Sequence, residues 1–178
     1  MKRIGLVSAA LAGILVLAIL GGCNGNPEES SSSPADGKTL VVAVVEAVGT
    51  GAIGEFASTT KVGDVTQNRN QLIKFTHYAS DERLDGTGEM TANNDQRDDG
   101  SSTGWGTFKF TNDGGTWEGD WTGAGEAKVD GNVYILTKLT GTGDYEGLTA
   151  YLVYVQPSLS LGFGAGESAC TGYIEEID

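Results

Sequence analysis

The sequence predicts an all-β domain of eight or nine short antiparallel strands, an up-and-down barrel or a sandwich. Three observations predict it. Residues 38–178 contain no helical i, i+3, i+4, i+7 apolar stripe; glycine, threonine, valine and aromatic residues dominate instead. Short runs of alternating polarity recur along the whole segment. Between them stand turn-forming pairs and triplets rich in Gly, Asn and Asp, residues that accept a positive φ cheaply.

The elements follow in order. Leu40–Val48 carries Val41, Val42, Val44, Val45 and Val48, and this β-branched density favours a strand at 39–48. Further strands are expected near 52–60, 70–79, 84–92, 104–111, 116–123, 132–140, 148–156 and 168–175. The expected breaks are Gly49-Thr50-Gly51, Val62-Gly63-Asp64, Asp85-Gly86, Asp99-Gly100, Asn112–Gly115, Asp130-Gly131-Asn132 and Gly141–Asp144. Alternation puts Trp117, Gly119 and Trp121 on one side of a strand and Glu118 and Asp120 on the other. Phe108 and Phe110 share a side opposite Trp105, Thr107 and Lys109, and Val133, Ile135 and Leu139 line up likewise. Glycines inside strands, such as Gly106 and Gly119, suit bulges or tight barrel corners.

The N-terminus has a different character. Met1-Lys2-Arg3 is a short positive start, and an apolar stretch runs from Ile4 to Leu20. Small residues follow, a pattern that describes an export signal. Leu20-Gly21-Gly22-Cys23 resembles the bacterial lipobox. That resemblance implies cleavage before Cys23, a thioether-linked diacylglycerol on its sulfur and a further acyl chain on its amine. Several buried chains anchor stably where one is marginal, since each CH₂ contributes about 0.8 kcal/mol. The domains are therefore expected as a signal at 1–22, a lipidated tether at 23–37 and a β domain at 38–178. Residues 24–37 are rich in Ser, Asn, Glu and Gly; they bury little apolar surface and are expected to be disordered. The expected location is extracytoplasmic, anchored to a bacterial membrane, with inner and outer membranes both open.

Charge narrows the partners. The chain has 24 acidic and 11 basic side chains, a formal charge of −13. Loss of Lys2 and Arg3 with the signal would make it −15. Such a surface repels nucleic acid and anionic lipid headgroups. Cys23 and Cys170 are the two cysteines, so a lipidated Cys23 leaves Cys170 as a buried small hydrophobe or a free thiol.

Four segments carry a second resemblance: Ser80–Thr87, Trp105–Phe108, Asn112–Gly123 and Gly141–Leu148. In this order they resemble bacterial proteins of the allene oxide cyclase-like barrel group, which includes dirigent proteins. The resemblance covers about residues 78–155 and implies an eight-stranded antiparallel barrel with an apolar lumen. It carries over no catalytic residue. Within the same stretch Trp117-Glu118-Gly119 and Tyr145-Glu146-Gly147 echo each other, 28 residues apart.

Candidate chemistry is sparse. His77, the single histidine, is expected at a strand end on the surface or rim, with no nucleophile motif to serve. Asn93–Gly100 fails the EF-hand spacing at Arg97 and Gly106 and reads as a solvated hairpin loop. Glu118 and Glu146 each follow a core aromatic, so alternation aims both outward. No metal or cofactor is expected. Trp105, Trp117, Trp121, Tyr134 and Tyr151 are either core residues or the lining of a lumen or rim where a planar or sugar-like ligand would stack. The expected function is a membrane-anchored barrel that binds a small apolar ligand or a partner. A cyclase- or isomerase-type enzyme working in the lumen is the second reading, and a structural or adhesive surface protein the third.

Overall fold

The computed structural model describes residues 37–47, 54–126, 131–157 and 167–177. The lipobox Leu20–Cys23, the tether to residue 36 and the break Gly49–Gly51 lie outside these residues. The described residues form nine strands: β1 (Thr39–Ala47), β2 (Ser58–Val62), β3 (Val65–Ala79), β4 (Gly86–Arg97), β5 (Ser101–Asn112), β6 (Gly115–Glu126), β7 (Asn132–Gly143), β8 (Leu148–Pro157) and β9 (Glu167–Glu176). One turn of 3₁₀ helix, Glu82–Leu84, stands between β3 and β4.

All pairings are antiparallel, and β3 to β9 follow one another in sheet order. β1 pairs with β9 on one side and with the last third of β3 on the other, which closes eight strands into a ring. The ninth, β2, pairs with the first third of β3, from Ser58↔Arg69 to Val62↔Val65. β1 and β2 thus lie in succession along one edge of β3. The up-and-down barrel predicted from the sequence is the architecture observed.

Two elements differ from expectation. The strand expected at 52–60 is Ser58–Val62, and residues 54–57 meet β3 only through isolated bonds such as Gly54 N to Leu72 O. β3 begins at Val65 rather than residue 70. Its first residues, Val-Thr-Gln-Asn-Arg, lack apolar alternation because Asn68 faces inward onto Asn94, donating to its side-chain oxygen at 2.7 Å. A bulge at Asn70, with φ 57°, separates this polar start from the apolar remainder. Asn93–Gly100 is likewise not a loop. β4 continues to Arg97 and only Asp98–Gly100 turns.

The interior is filled. Trp117, Trp121, Phe108, Phe110, Ile73, Leu139, Leu152 and Ile174 are buried at successive inward positions. Gly106 on β5 has a specific task. A Cβ there would collide with the Thr91 carbonyl and the Trp121 indole. Its absence lets Trp121 Nε1 reach across β5 and donate to the Thr91 carbonyl at 2.8 Å.

Three of the four segments that carry the barrel resemblance, Ser80–Thr87, Asn112–Gly123 and Gly141–Leu148, converge at one end. Leu84 of the 3₁₀ turn is fully buried there. Trp117 Nε1 donates to the Arg83 carbonyl at 2.7 Å, and Asn112 Nδ2 to the Asp85 carbonyl at 2.7 Å. Tyr145 donates to Asn112 Oδ1 at 2.7 Å and stacks on Trp117, with centroids 5.3 Å apart. The two aromatic-Glu-Gly echoes are therefore in contact. Their glutamates, Glu118 and Glu146, both point outward.

Candidate functional site

The lumen is the first place to look for a site. Among the described residues it holds a chamber of about 30 Å³ between Phe75, Met90, Phe108, Ile135 and Tyr154, with Gln156 and Ser168 at its polar side. That volume admits a water or two, against roughly 300 Å³ or more for a small-molecule pocket. Toward the same end the inward positions turn neutral and polar: Asn68, Gln71, Asn94, Ser102, Gln156 and Ser168. Gln71 Oε1 and Ser102 Oγ are buried without a partner among the described residues, which suits ordered water.

Across the lumen runs a short polar line. His77 is fully buried, stacked on Phe110 at 5.2 Å, and not at the surface or rim as its sequence position suggested. A phenylalanine face on one side and the Leu84 carbonyl on the other satisfy it inside the barrel. Because Leu84 O can only accept, the 2.7 Å contact places the imidazole proton on Nδ1. Nε2 then accepts from the Tyr154 hydroxyl at 3.3 Å. Burial lowers the His77 pKa from 6.5 to about 4, although the Leu84 carbonyl and Asp85 oppose the shift. Burial also raises Tyr154 well above the usual phenol value and Cys170 to about 12. All three groups are neutral at pH 7. Neither a nucleophile nor an available base results, and the row reads as a satisfied polar network.

The outside of the barrel is divided. On β3 to β6, Lys74, Glu89, Lys109 and Glu118 stand in register across four strands, and Lys109 Nζ lies 3.2 Å from Glu118 Oε2. Thr76, Thr87, Thr111, Thr116 and Thr142 form a neighbouring rung. On β7, β8, β9 and β1 the middle of the outer face is largely apolar. One rung reads Val42, Thr171, Val153, Leu136; another reads Leu40, Tyr173, Tyr151, Lys138. Leu40, Val42 and Leu136 are 75%, 62% and 56% exposed. Tyr151 and Tyr173 stack at 5.2 Å, with Lys38 Nζ 4.5 Å from the Tyr173 ring and Lys138 Nζ 5.6 Å from the Tyr151 ring. Lys38 also pairs with Glu175 at 3.4 Å. Glu46 and Glu167, paired in register, bound the face at its other end.

No family model, curated protein or solved structure matches this chain. The functional reading therefore rests on its own residues.

The five aromatics singled out by sequence fall into three groups, and none lines the inner chamber. Trp117 and Trp121 are packed core. Trp105 projects outward on β5 beneath the Arg69 guanidinium, 4.9 Å away. Tyr134 and Tyr151 lie on the apolar outer wall. Sequence reasoning missed Leu40, Val42, Leu136, Val153 and Tyr173 as surface residues. The available signal was apolar character at both parities. Leu40–Val45, Val133–Leu136 and Ala150–Val155 have no polar side, as strands do when both faces are covered. Cys170 is a buried free thiol.

Proposed function

We propose that this protein is an extracytoplasmic lipoprotein, held to a bacterial membrane by lipid on Cys23. Its barrel, of the allene oxide cyclase-like kind, works as a rigid docking module through its outer wall. The observation that carries this reading is the contrast between a packed lumen and a bare apolar wall. A chamber of about 30 Å³ leaves a small apolar ligand no room. Leu40, Val42, Tyr134, Leu136 and Val153 offer a contiguous surface of the kind that marks an interaction site. The membrane part of the proposal is supported by the charged start, the apolar stretch and Leu20-Gly21-Gly22-Cys23. The charged rung on β3 to β6 fits a barrel standing in water, since a membrane-spanning barrel is apolar all round its outside.

Intact-mass measurement of the full chain, extracted from its host's membranes with detergent, tests both parts. The expected species starts at Cys23, carries diacylglycerol and acyl mass, and brings no small molecule with it. A chain beginning elsewhere with a free Cys23 overturns the anchor. A stoichiometric co-purifying ligand that leaves the protein only on unfolding restores the lumen as the site.

A further inference from the structure

We infer that the surface docked by the β7-β8-β9-β1 wall is the lipid bilayer itself, at the level of its neutral headgroups. This rests on the lipoprotein reading and names the partner of the same face. Three observations point to lipid. The wall combines exposed aliphatics (Leu40, Val42, Leu136, Val153) with tyrosines at 134, 151 and 173 and a lysine over each of two rings. Tyrosine concentrates at membrane–water interfaces, and lysine can lay its stem on apolar surface with the ammonium kept wet. Charge gives the second argument. In a chain of formal charge −13, this is the wall without the Lys-Glu rung, and its acids stand at its margins. A neutral headgroup layer meets no repulsion there.

The third argument is where the chain enters. Lys38, directly before β1, rests on the Tyr173 ring and therefore on this wall. Only residues 24–37 separate it from Cys23. A Gly/Ser-rich segment of that length has a root-mean-square reach of about 20 Å. An acyl chain on Cys23 would hold this wall, more than the opposite one, at high effective concentration near the bilayer. Each contact is weak alone; the tether makes it intramolecular.

The test uses the full lipidated chain in phosphatidylcholine vesicles containing a nitroxide-labelled lipid. Leu136→Cys and Glu118→Cys each place a fluorophore on an exposed strand position, one on each wall. The remaining described cysteine, Cys170, is buried. Emission from buried Trp117 and Trp121 verifies that both variants fold. The label at 136 is expected to shift to the blue and to be quenched at least twofold more than the label at 118. Equal, weak quenching at both positions on protein that still floats with the vesicles overturns this inference and leaves the lipoprotein reading standing. Protection at 136 that grows with protein density while nitroxide quenching stays absent also overturns it, in favour of a second copy. A chain that does not float and has an unmodified Cys23 overturns the anchor and this inference with it. A second pair, Val153→Lys and Glu89→Lys, made in the lipidated chain and read by nitroxide quenching of the label at 136, is expected to lose that quenching several-fold only for Val153→Lys. Loss with neither variant, or with both equally, counts against the wall.

Discussion

Strands β3 to β6 and strands β7 to β9 with β1 do the same work inside the barrel and opposite work outside it. Both halves contribute buried residues to one core: Ile73, Phe75, Phe108, Phe110 and Trp121 from the first, Leu139, Leu152, Tyr154 and Ile174 from the second. Outside, the first half alternates Lys74, Glu89, Lys109 and Glu118 across its strands, while the second exposes Leu40, Val42, Leu136 and Val153. Folding needs only the inward pattern. The outward difference is therefore not imposed by the core, and a free apolar wall carries a solubility liability that the charged wall avoids. That difference is the ground on which the docking proposal stands.

The largest effect should come where the two halves share structure. Trp121 stands on β6, where the charged wall ends, and its indole crosses β5 to the Thr91 carbonyl. Trp121→Ala removes that bond and leaves a large hole. A loss of about 3–5 kcal/mol is expected in urea unfolding. A loss below about 1 kcal/mol would mean that the halves do not lean on one core.

His77 and Tyr154 join the halves across the lumen, and the burial of His77 makes stability depend on pH. The folded pKa of His77, about 4, lies below the unfolded value of 6.5. Its contribution is complete above pH 6.5. It declines as the pH falls toward 4, because the unfolded chain takes up a proton there and the folded one does not. About 3 kcal/mol should be lost over that window. His77→Gln should flatten this part of the stability curve, as read from urea midpoints at pH 7, 5.5 and 4. An unchanged slope in the variant would assign the acid sensitivity to carboxylates.

Much of this was readable beforehand, and the unreadable parts have physical causes. The barrel and the inward faces of β5 and β6 around Phe108, Phe110, Trp117 and Trp121 follow from clean alternation, since the charged residues between them, Lys109, Glu118 and Asp120, face outward. β2 and the first residues of β3 escaped because Asn68 bonds inward to Asn94, so polarity no longer reports exposure. His77 escaped for the same reason: its stacking on Phe110 and its bond to Leu84 O are long-range facts invisible in local pattern. For each aromatic the sequence leaves core and lining both open. Which way each pointed depended on register, and a register step of one residue exchanges inside for outside. The apolar wall was present in the sequence as strands with no polar side, a pattern that marks burial on both faces without saying what covers the second.

Charge reversal should affect one wall alone. Glu89 lies in register between Lys74 and Lys109. Glu89→Lys places three like charges on adjacent strands and should cost about 1 kcal/mol at low salt. Raising the salt to about 0.5 M should recover most of it, because exposed charges are screened. A cost that ignores salt would place the effect in backbone or packing rather than in the rung.

The smallest effect on folding is expected on the other wall, and it separates stability from function most sharply. Leu136 is 56% exposed between Thr122 and Val153 in the register. Leu136→Thr introduces a β-branched residue of good strand propensity and removes an apolar side chain that the core does not use, so the urea midpoint should move by less than about 0.5 kcal/mol. Binding of an apolar dye to the folded protein should nonetheless fall measurably, and so should vesicle association. If the variant instead unfolds early, Leu136 is a structural residue despite its exposure, and the wall owes its apolar character to the fold. If it folds normally and keeps full vesicle association, the wall is not where this barrel makes contact. An unchanged midpoint with weakened association is the outcome expected of a surface selected for something outside the molecule.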